Sequence, residues 1–265
     1  MLAQDIYPVY NRINMQKVKK QNDVVSVENF SMVFGKKIAV DNLSFTVKRG
    51  ETFGFLGSNG SGKTTTLRAL LGLYQSTSGN LTINGKKYSP NNGTKLGYLP
   101  EERGMYQKER VLDVMMYFGT LKGLPRDQAK KNALKYLAEV EMTKYAKTRI
   151  DKLSGGQQQK IQLGITVIDN PDLLILDEPT KGFDPVNRRL LMNIVNERKK
   201  LGATVVIVTH QMDEVEKLCD RLILLKNGKT EAYGTIKEVR SKFNNKSLDD
   251  IFIQIYQKPL ERESK

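Results

Sequence analysis

Eight consecutive residues, Gly57-Ser58-Asn59-Gly60-Ser61-Gly62-Lys63-Thr64, fit the pattern G-x-x-x-x-G-K-[ST] of a phosphate-cradling loop. Glycines let the backbone wrap closely round an oxyanion. The loop N–H groups then point at phosphate, with the positive end of a helix dipole behind them. Lys63 has the reach for the β- and γ-phosphates, the Thr64 hydroxyl could ligate Mg2+, and Thr65 extends the candidate contacts. A glycine-rich turn could match by chance, but both flanks agree with the functional reading. Phe53-Gly54-Phe55-Leu56 reads as a buried strand, and Thr65 to Leu71 reads as a helix with Leu67, Leu70 and Leu71 on one face.

Two further stretches carry chemistry. Leu173-Leu174-Ile175-Leu176 is an apolar run that ends in Asp177-Glu178. A buried strand ending there would set Asp177 beside Thr64, where it can hold Mg2+ through water. Glu178, one residue on, suits a general base that polarises an attacking water. Alone, such a run is any strand leaving a core; with a phosphate loop upstream it gains weight. Leu153-Ser154-Gly155-Gly156-Gln157 opens a helix running to about Ile168, with Ser154 as its N-cap. It is either a capped helix after a loop or a second phosphate-binding helix end. Since one loop already serves a subunit, a second cradle would belong to a neighbouring subunit.

The elements that must position these residues follow from the apolar pattern. Val25 to Phe30 and Leu43 to Val47 alternate as antiparallel strands leading into the loop strand, and Leu81-Thr82-Ile83 before Asn84-Gly85 reads as another hairpin arm. Between about residues 103 and 152 strand signals stop. Val111 to Leu121 and Gln128 to Val140 are helical, separated by Gly123-Leu124-Pro125. Beyond Ser154, helices alternate with the apolar runs 173–176 and 204–208, which predicts a parallel sheet with crossover helices. Leu222 to Leu225 and the Asn227-Gly228 turn return to a hairpin, and Leu248 to Tyr256 reads as a terminal helix. The expected fold class is α/β: a P-loop NTPase core with a mixed, largely parallel sheet, an antiparallel β subdomain and a helical subdomain. The expected organisation is a basic, flexible leader over 1–22, one folded domain carrying the phosphate loop over 23–236 and a short extension over 237–265.

Composition sets outer limits. The 265 residues suit one large domain or two small ones, and 39% hydrophobic with 27% charged content is that of an ordinary globular chain. One cysteine and one histidine exclude an internal disulfide and a Cys- or His-built metal site. No stretch approaches 18 continuous apolar residues, and no apolar core follows the first charges, so neither a membrane span nor a secretory signal is expected. A cytoplasmic chain is the expectation. The net charge of +14 suits nucleic acid, an anionic membrane surface or phosphates. The basic residues are dispersed without aromatic interleaving, which favours solubility or a membrane-surface bias over nucleic acid.

The loop at 57–64, Leu153-Ser154-Gly155-Gly156-Gln157, the run 173–178 and a histidine after a strand, His210, occur in the order and spacing of ABC-type ATPases. The resemblance covers roughly residues 24 to 236, and the Leu-Ser-Gly-Gly-Gln signature is highly specific to that family. It implies two ATP molecules sandwiched between two subunits, a homodimer or a heterodimer. Each ATP would be bound by one phosphate loop (Walker A) and by Ser154, Gly155, Gly156 and Gln157 of the opposite subunit. It implies a switch role for His210, which orients the γ-phosphate and water; a lone histidine is otherwise a satisfied core residue. Phe34 resembles the aromatic that stacks on adenine, with a core phenylalanine as the alternative. Gly182-Phe183-Asp184 resembles the loop that crosses the dimer interface at Asp184, with Phe183 where the family more often has Leu.

One departure stands out. After Gly97-Tyr98-Leu99-Pro100 the family usually has Gln, a Mg2+ ligand; here it is Glu101, followed by Glu102-Arg103-Gly104. A carboxylate can still bind Mg2+ but adds negative charge near the γ-phosphate. Pro-Glu-Glu-Arg-Gly resembles bacterial ABC-2-type exporter ATPases of the sodium-extrusion and multidrug kind. Members often carry a further C-terminal domain, which is expected here to be lost or reduced to a short helix. The resemblance implies an ATP- and Mg2+-dependent ATPase, peripheral on the inner face of the cell membrane, driving a separate integral-membrane permease, with export as the direction. The alternatives are a nucleic-acid- or ribosome-associated ABC ATPase and a regulatory one without transport. A single cassette without coiled-coil insertion or zinc cysteines weighs against the nucleic-acid class. A GTPase is disfavoured because Thr180-Lys181-Gly182-Phe183-Asp184 misses the guanine-reading spacing by one residue.

Overall fold

The computed structural model describes residues 22–90, 93–102 and 104–257. The expected leader therefore lies, but for Asn22, outside the described residues. Two sheets organise the chain. A six-stranded sheet runs in the order β5-β6-β7-β3-β8-β9. Its strands are β3 (Thr52–Gly57), β5 (Leu96–Leu99), β6 (Leu173–Asp177), β7 (Thr204–Thr209), β8 (Arg221–Lys226) and β9 (Lys229–Thr235). All pairings are parallel except β8 with β9. A three-stranded antiparallel sheet, β2-β1-β4, is built from β1 (Asp23–Phe34), β2 (Lys37–Lys48) and β4 (Ser78–Ile83).

The near-continuous apolar runs of β3, β6, β7 and β8 follow from burial on both faces. Successive side chains enter different cores. Leu173 and Ile175, with Val206, Val208, Phe53 and Phe55, face the layer shared with the antiparallel sheet and α1 (Lys63–Leu70). Leu174 and Leu176, with Val205, Ile207 and Leu56, face the helical side. Register then aligns the strand ends that matter: Leu56 lies opposite Thr209, Asp177 opposite Val208 and Gly57 opposite Leu225. The carboxyl ends of the parallel strands thus form one edge, where open α/β sheets place ligands.

Helices α2 (Val111–Leu121) and α3 (Arg126–Glu139) fall within the expected helical stretch and pack on α4 (Gly155–Val167). Gly164 of α4 sits so close to Tyr136 that an added Cβ would lie 2.3 Å from its ring, and the Tyr136 hydroxyl donates to the Lys160 carbonyl at 2.7 Å. The remaining α-helices among the described residues are α5 (Pro185–Lys200), α6 (Met212–Leu218), α7 (Ile236–Lys242) and α8 (Leu248–Gln257). The expected terminal helix is therefore present, and its Leu248, Ile251 and Ile255 enter the main core.

One expectation needs correcting. Leu81 to Ile83 does not form a hairpin with the residues after Asn84-Gly85. Apart from a single bridge from Ile83 to Lys86, β4 pairs with β1, some fifty residues earlier, with Val27 opposite Leu81. Alternation signals a strand but not its partner, and here burial against β1 decides.

Candidate active site

The phosphate loop joins β3 to α1. Gly57, Gly60 and Gly62 hold φ of +155°, +78° and +106°. At Gly57 an added Cβ would lie 2.3 Å from the Ser61 hydroxyl, so only glycine fits that turn. Lys63 folds back over the loop, its Nζ donating to the carbonyls of Gly57 at 2.7 Å and Ser58 at 3.0 Å. Burial pushes the Lys63 ammonium below the usual lysine range, while Glu178, Asp177 and Glu101 pull it back up.

A cavity of about 580 Å³ opens in front of this loop. Its walls include Phe34, Asn59, Gly60, Gly62, Lys63, Thr64, Thr65, Glu101, Asp177 and Glu178. That volume lies in the usual range of small-ligand sites. A cavity of about 680 Å³ between α3, the end of α4 and α5 contains none of these residues. Phe34 is 47% exposed and meets Tyr74 edge-on at 5.6 Å, so its core alternative fails. Gly57, Ser58 and Ser61 stand behind the wall rather than in it: Ser61 is buried and the Ser58 N–H donates to the Tyr256 hydroxyl at 2.7 Å.

The acidic wall brings Glu101 and Glu178 close enough to act on Asp177. Burial, helped by Glu101 and Glu178 and opposed by Lys63 and Arg68, raises the Asp177 carboxyl to about 6. Glu178 has a left-handed backbone, φ +47°, rare for a side chain of this size. Its N–H donates to the Val208 carbonyl at 2.8 Å, and its carboxylate lies 2.8 Å from His210 Nδ1 and 3.4 Å from the Thr209 hydroxyl. Facing an ionised Glu178, which only accepts, the bond would require a proton on Nδ1. Glu101 pairs with Lys181 at 2.6 Å, a partner the sequence reading did not identify. No group of three or more His, Cys, Asp or Glu side chains close enough to hold a metal occurs among the described residues. A cation here would take its ligands from the Thr64 hydroxyl, the Asp177 and Glu101 carboxylates, water and phosphate. That all-oxygen donor set fits a hard divalent ion.

Ser154 and Gln157 form a reciprocal capping box at the start of α4: the Gln157 N–H donates to Ser154 Oγ at 3.3 Å, and the Ser154 N–H donates to the Gln157 side chain at 2.9 Å. Neither they nor Gly155 and Gly156 line the cavity of their own chain. Asp184 caps α5, accepting from the Asn187 N–H at 2.8 Å, while Phe183 is buried in the core. Two side chains of α4 tie these parts together. Gln162 donates to the Glu102 carbonyl at 3.0 Å, and Gln159 reaches the Pro179 carbonyl at 3.5 Å.

Sequence reasoning also missed Lys37, Ile38, Ala39 and Asn227 of the cavity wall. Asn227 belongs to a recognised turn, but its approach to the loop, with Gly228 donating to the Ser61 carbonyl at 3.0 Å, has no local signal.

Residues 40–181 match the model of the ABC transporter family, which covers more than half of the chain. The chain belongs to that family. It is 44% identical over 218 residues to an uncharacterised ABC transporter ATP-binding protein of Methanocaldococcus jannaschii, spanning 82% of this chain and 80% of that one. The linearmycin resistance ATP-binding protein LnrL of Bacillus subtilis is 36% identical over 228 residues, spanning 85% and 73%. The Nod factor export ATP-binding protein I of Ralstonia nicotianae is 34% identical over 219 residues, spanning 82% and 68%. A solved ATP-binding subunit of an ABC transporter superposes with a TM-score of 0.82 at 26% identity, covering 88% of this chain and all of that one. The chain is thus an ABC ATP-binding subunit with the ABC ATPase fold, and an ATPase. No helix of the described residues is long and apolar enough to cross a membrane.

Proposed function

We propose that this ATPase drives export through a separate integral-membrane permease, working as a peripheral subunit on the cytoplasmic face of the membrane. The observation that carries the mechanism is the Glu178–His210 pair, poised at 2.8 Å beside the phosphate-loop cavity. ATP would enter with adenine against Phe34 and the phosphates on the loop N–H groups. Lys63 would leave its carbonyl partners for the β- and γ-phosphates. Thr64, Asp177 and Glu101 would hold Mg2+, which neutralises phosphate charge when bound. Glu178 then accepts a proton from the attacking water. His210 can hold Glu178 through Nδ1–H and donate to the γ-phosphate at once only with a proton on each ring nitrogen.

The outward-facing start of α4 supports a head-to-tail dimer in which Ser154, Gly155, Gly156 and Gln157 meet the partner's ATP, with Asp184 at the crossing. The same helix touches the Glu101 loop through Gln162, so dimer closure and the loop move together. Between the core and the helical unit lies a cleft lined by Leu73, Tyr88, Tyr98 and Phe118, and Tyr106 and Tyr117 are exposed beside Phe118. An exposed aromatic face of this kind suits a protein partner. The names of two relatives, one conferring linearmycin resistance and one exporting Nod factor, support the outward direction.

The test is affinity capture of a Glu178→Gln form with Mg-ATP from detergent-solubilised membranes. A multi-span membrane protein retained in near-equal amount is expected, and it would lead to the substrate. Recovery of ribosomes or nucleic acid without a membrane protein would overturn the transporter reading.

A further inference from the structure

The C-terminal helix reaches the phosphate loop. The Tyr256 hydroxyl accepts from the Ser58 N–H at 2.7 Å and donates to the Leu225 carbonyl at 2.5 Å. Leu225 is the residue paired with Gly57 across β3 and β8, so one hydroxyl closes the gap between the loop and its neighbouring strand. The ring is held as well. Phe252 packs against it at 4.4 Å, and Lys226 Nζ donates to the Ile255 carbonyl at 2.7 Å. The other end of α8 is anchored on α6, the helix that follows His210, with the Leu248 N–H donating to the Glu216 carboxylate at 3.1 Å. A single helix therefore joins the phosphate loop to the element behind the switch histidine.

We infer that Tyr256 is a positioning residue for ATP binding and that α8 is a strap whose docking and nucleotide occupancy are coupled. A loop with three positive-φ glycines has many alternative conformations, and each must be given up when phosphate binds. The hydroxyl fixes the second residue of the loop before nucleotide arrives, which removes part of that ordering cost. Without it the Ser58 N–H and the Leu225 carbonyl both lose a partner, the binding-competent loop becomes a smaller fraction, and apparent affinity falls in proportion. Coupling between sites is reciprocal, so bound nucleotide must tighten the strap by the same factor. A protein that drew α8 away would weaken ATP binding without touching the cavity.

The inference rests on the loop holding the phosphates of ATP, and the experiment separates the two. Mg-ATP affinity, steady-state ATPase and amide hydrogen exchange would be measured on the full chain, on Tyr256→Phe and on Lys63→Ala. Tyr256→Phe keeps the ring and removes only the hydroxyl. It should weaken Mg-ATP binding and raise KM by roughly two- to ten-fold, the range for one lost hydrogen bond, with kcat nearly unchanged. In the unsubstituted chain Mg-ATP should slow exchange across 248–257, and in Tyr256→Phe that slowing should shrink. Unchanged affinity in Tyr256→Phe, or exchange in α8 indifferent to Mg-ATP in the unsubstituted chain, overturns the strap. Failure of the unsubstituted chain to bind Mg-ATP, or full binding by Lys63→Ala, would instead overturn the reading of the loop.

Discussion

Glu178 occupies a left-handed backbone position with its carboxylate shared between Thr209 and His210. The surrounding bonds maintain that strain, which points to a functional demand on its direction. Glu178→Gln keeps the size and removes the base, so ATP turnover should fall by about 10²- to 10⁴-fold while Mg-ATP binding persists. Single-turnover and binding assays would separate these effects, and retained turnover would place the base elsewhere. Asp177 makes a different prediction. Its carboxyl is raised to about 6 chiefly by burial, from a usual value of 3.8. The folded protein therefore binds that proton more tightly than the unfolded chain. The group costs nothing below pH 3.8, its cost grows as pH rises through about 6, and it is complete at pH 7. Asp177→Asn should stabilise the nucleotide-free protein at pH 7 by about 1–3 kcal/mol, with the difference vanishing near pH 4. Denaturant unfolding of both forms at the two pH values decides; equal stability at pH 7 would show that the buried charge is already compensated. That the loop and 173–178 share one cavity was legible in advance, because a loop pattern and an apolar run ending in carboxylates are local signals. The role of Lys181 was not, because it is set by a carboxylate 80 residues away.

At the scale of elements, apolar runs announced β3, β6, β7 and β8, since strands buried on both faces read as near-continuous apolar runs. The capped start of α4 was legible for the same local reason, through Ser154 and Gln157. The partner of β4 and the turn that brings Asn227 to the cavity were not, because both are fixed by packing between distant segments. The Glu101 loop shows what such packing achieves. Lys181 follows the β6 strand end and neutralises Glu101, so a carboxylate in the usual glutamine position does not present an unopposed charge to phosphate. Lys181→Ala should weaken Mg-free ATP binding by roughly two- to five-fold, and Glu101→Gln should strengthen it by a similar factor. Both residues are exposed, so both effects should shrink in half-molar salt. Titration at low and high salt tests the pair; two effects of the same sign would disprove the compensation.

The whole molecule holds one complete phosphate loop and one complete signature helix start, but they do not meet within the chain. Two copies arranged head to tail would create two composite sites, each with the loop of one copy and the helix of the other, an isologous arrangement. This makes a quantitative prediction for mixtures. Lys63→Ala damages only the loop. Gly156→Asp damages only the signature: the nearest atom to an added Cβ is 3.9 Å away and φ is ordinary, so the variant should fold, and in the head-to-tail dimer its carboxylate would face the partner's phosphates. Each variant alone should be nearly inactive. In an equal mixture that exchanges freely, half of the dimers contain both variants, and each of these has one intact composite site of two. About a quarter of the unsubstituted ATPase activity should therefore return. Activity that stays at the level of the separate variants would mean that the functional partner is a different ABC subunit or that each chain hydrolyses ATP alone. The separate activities distinguish these cases, because a chain acting alone would tolerate Gly156→Asp.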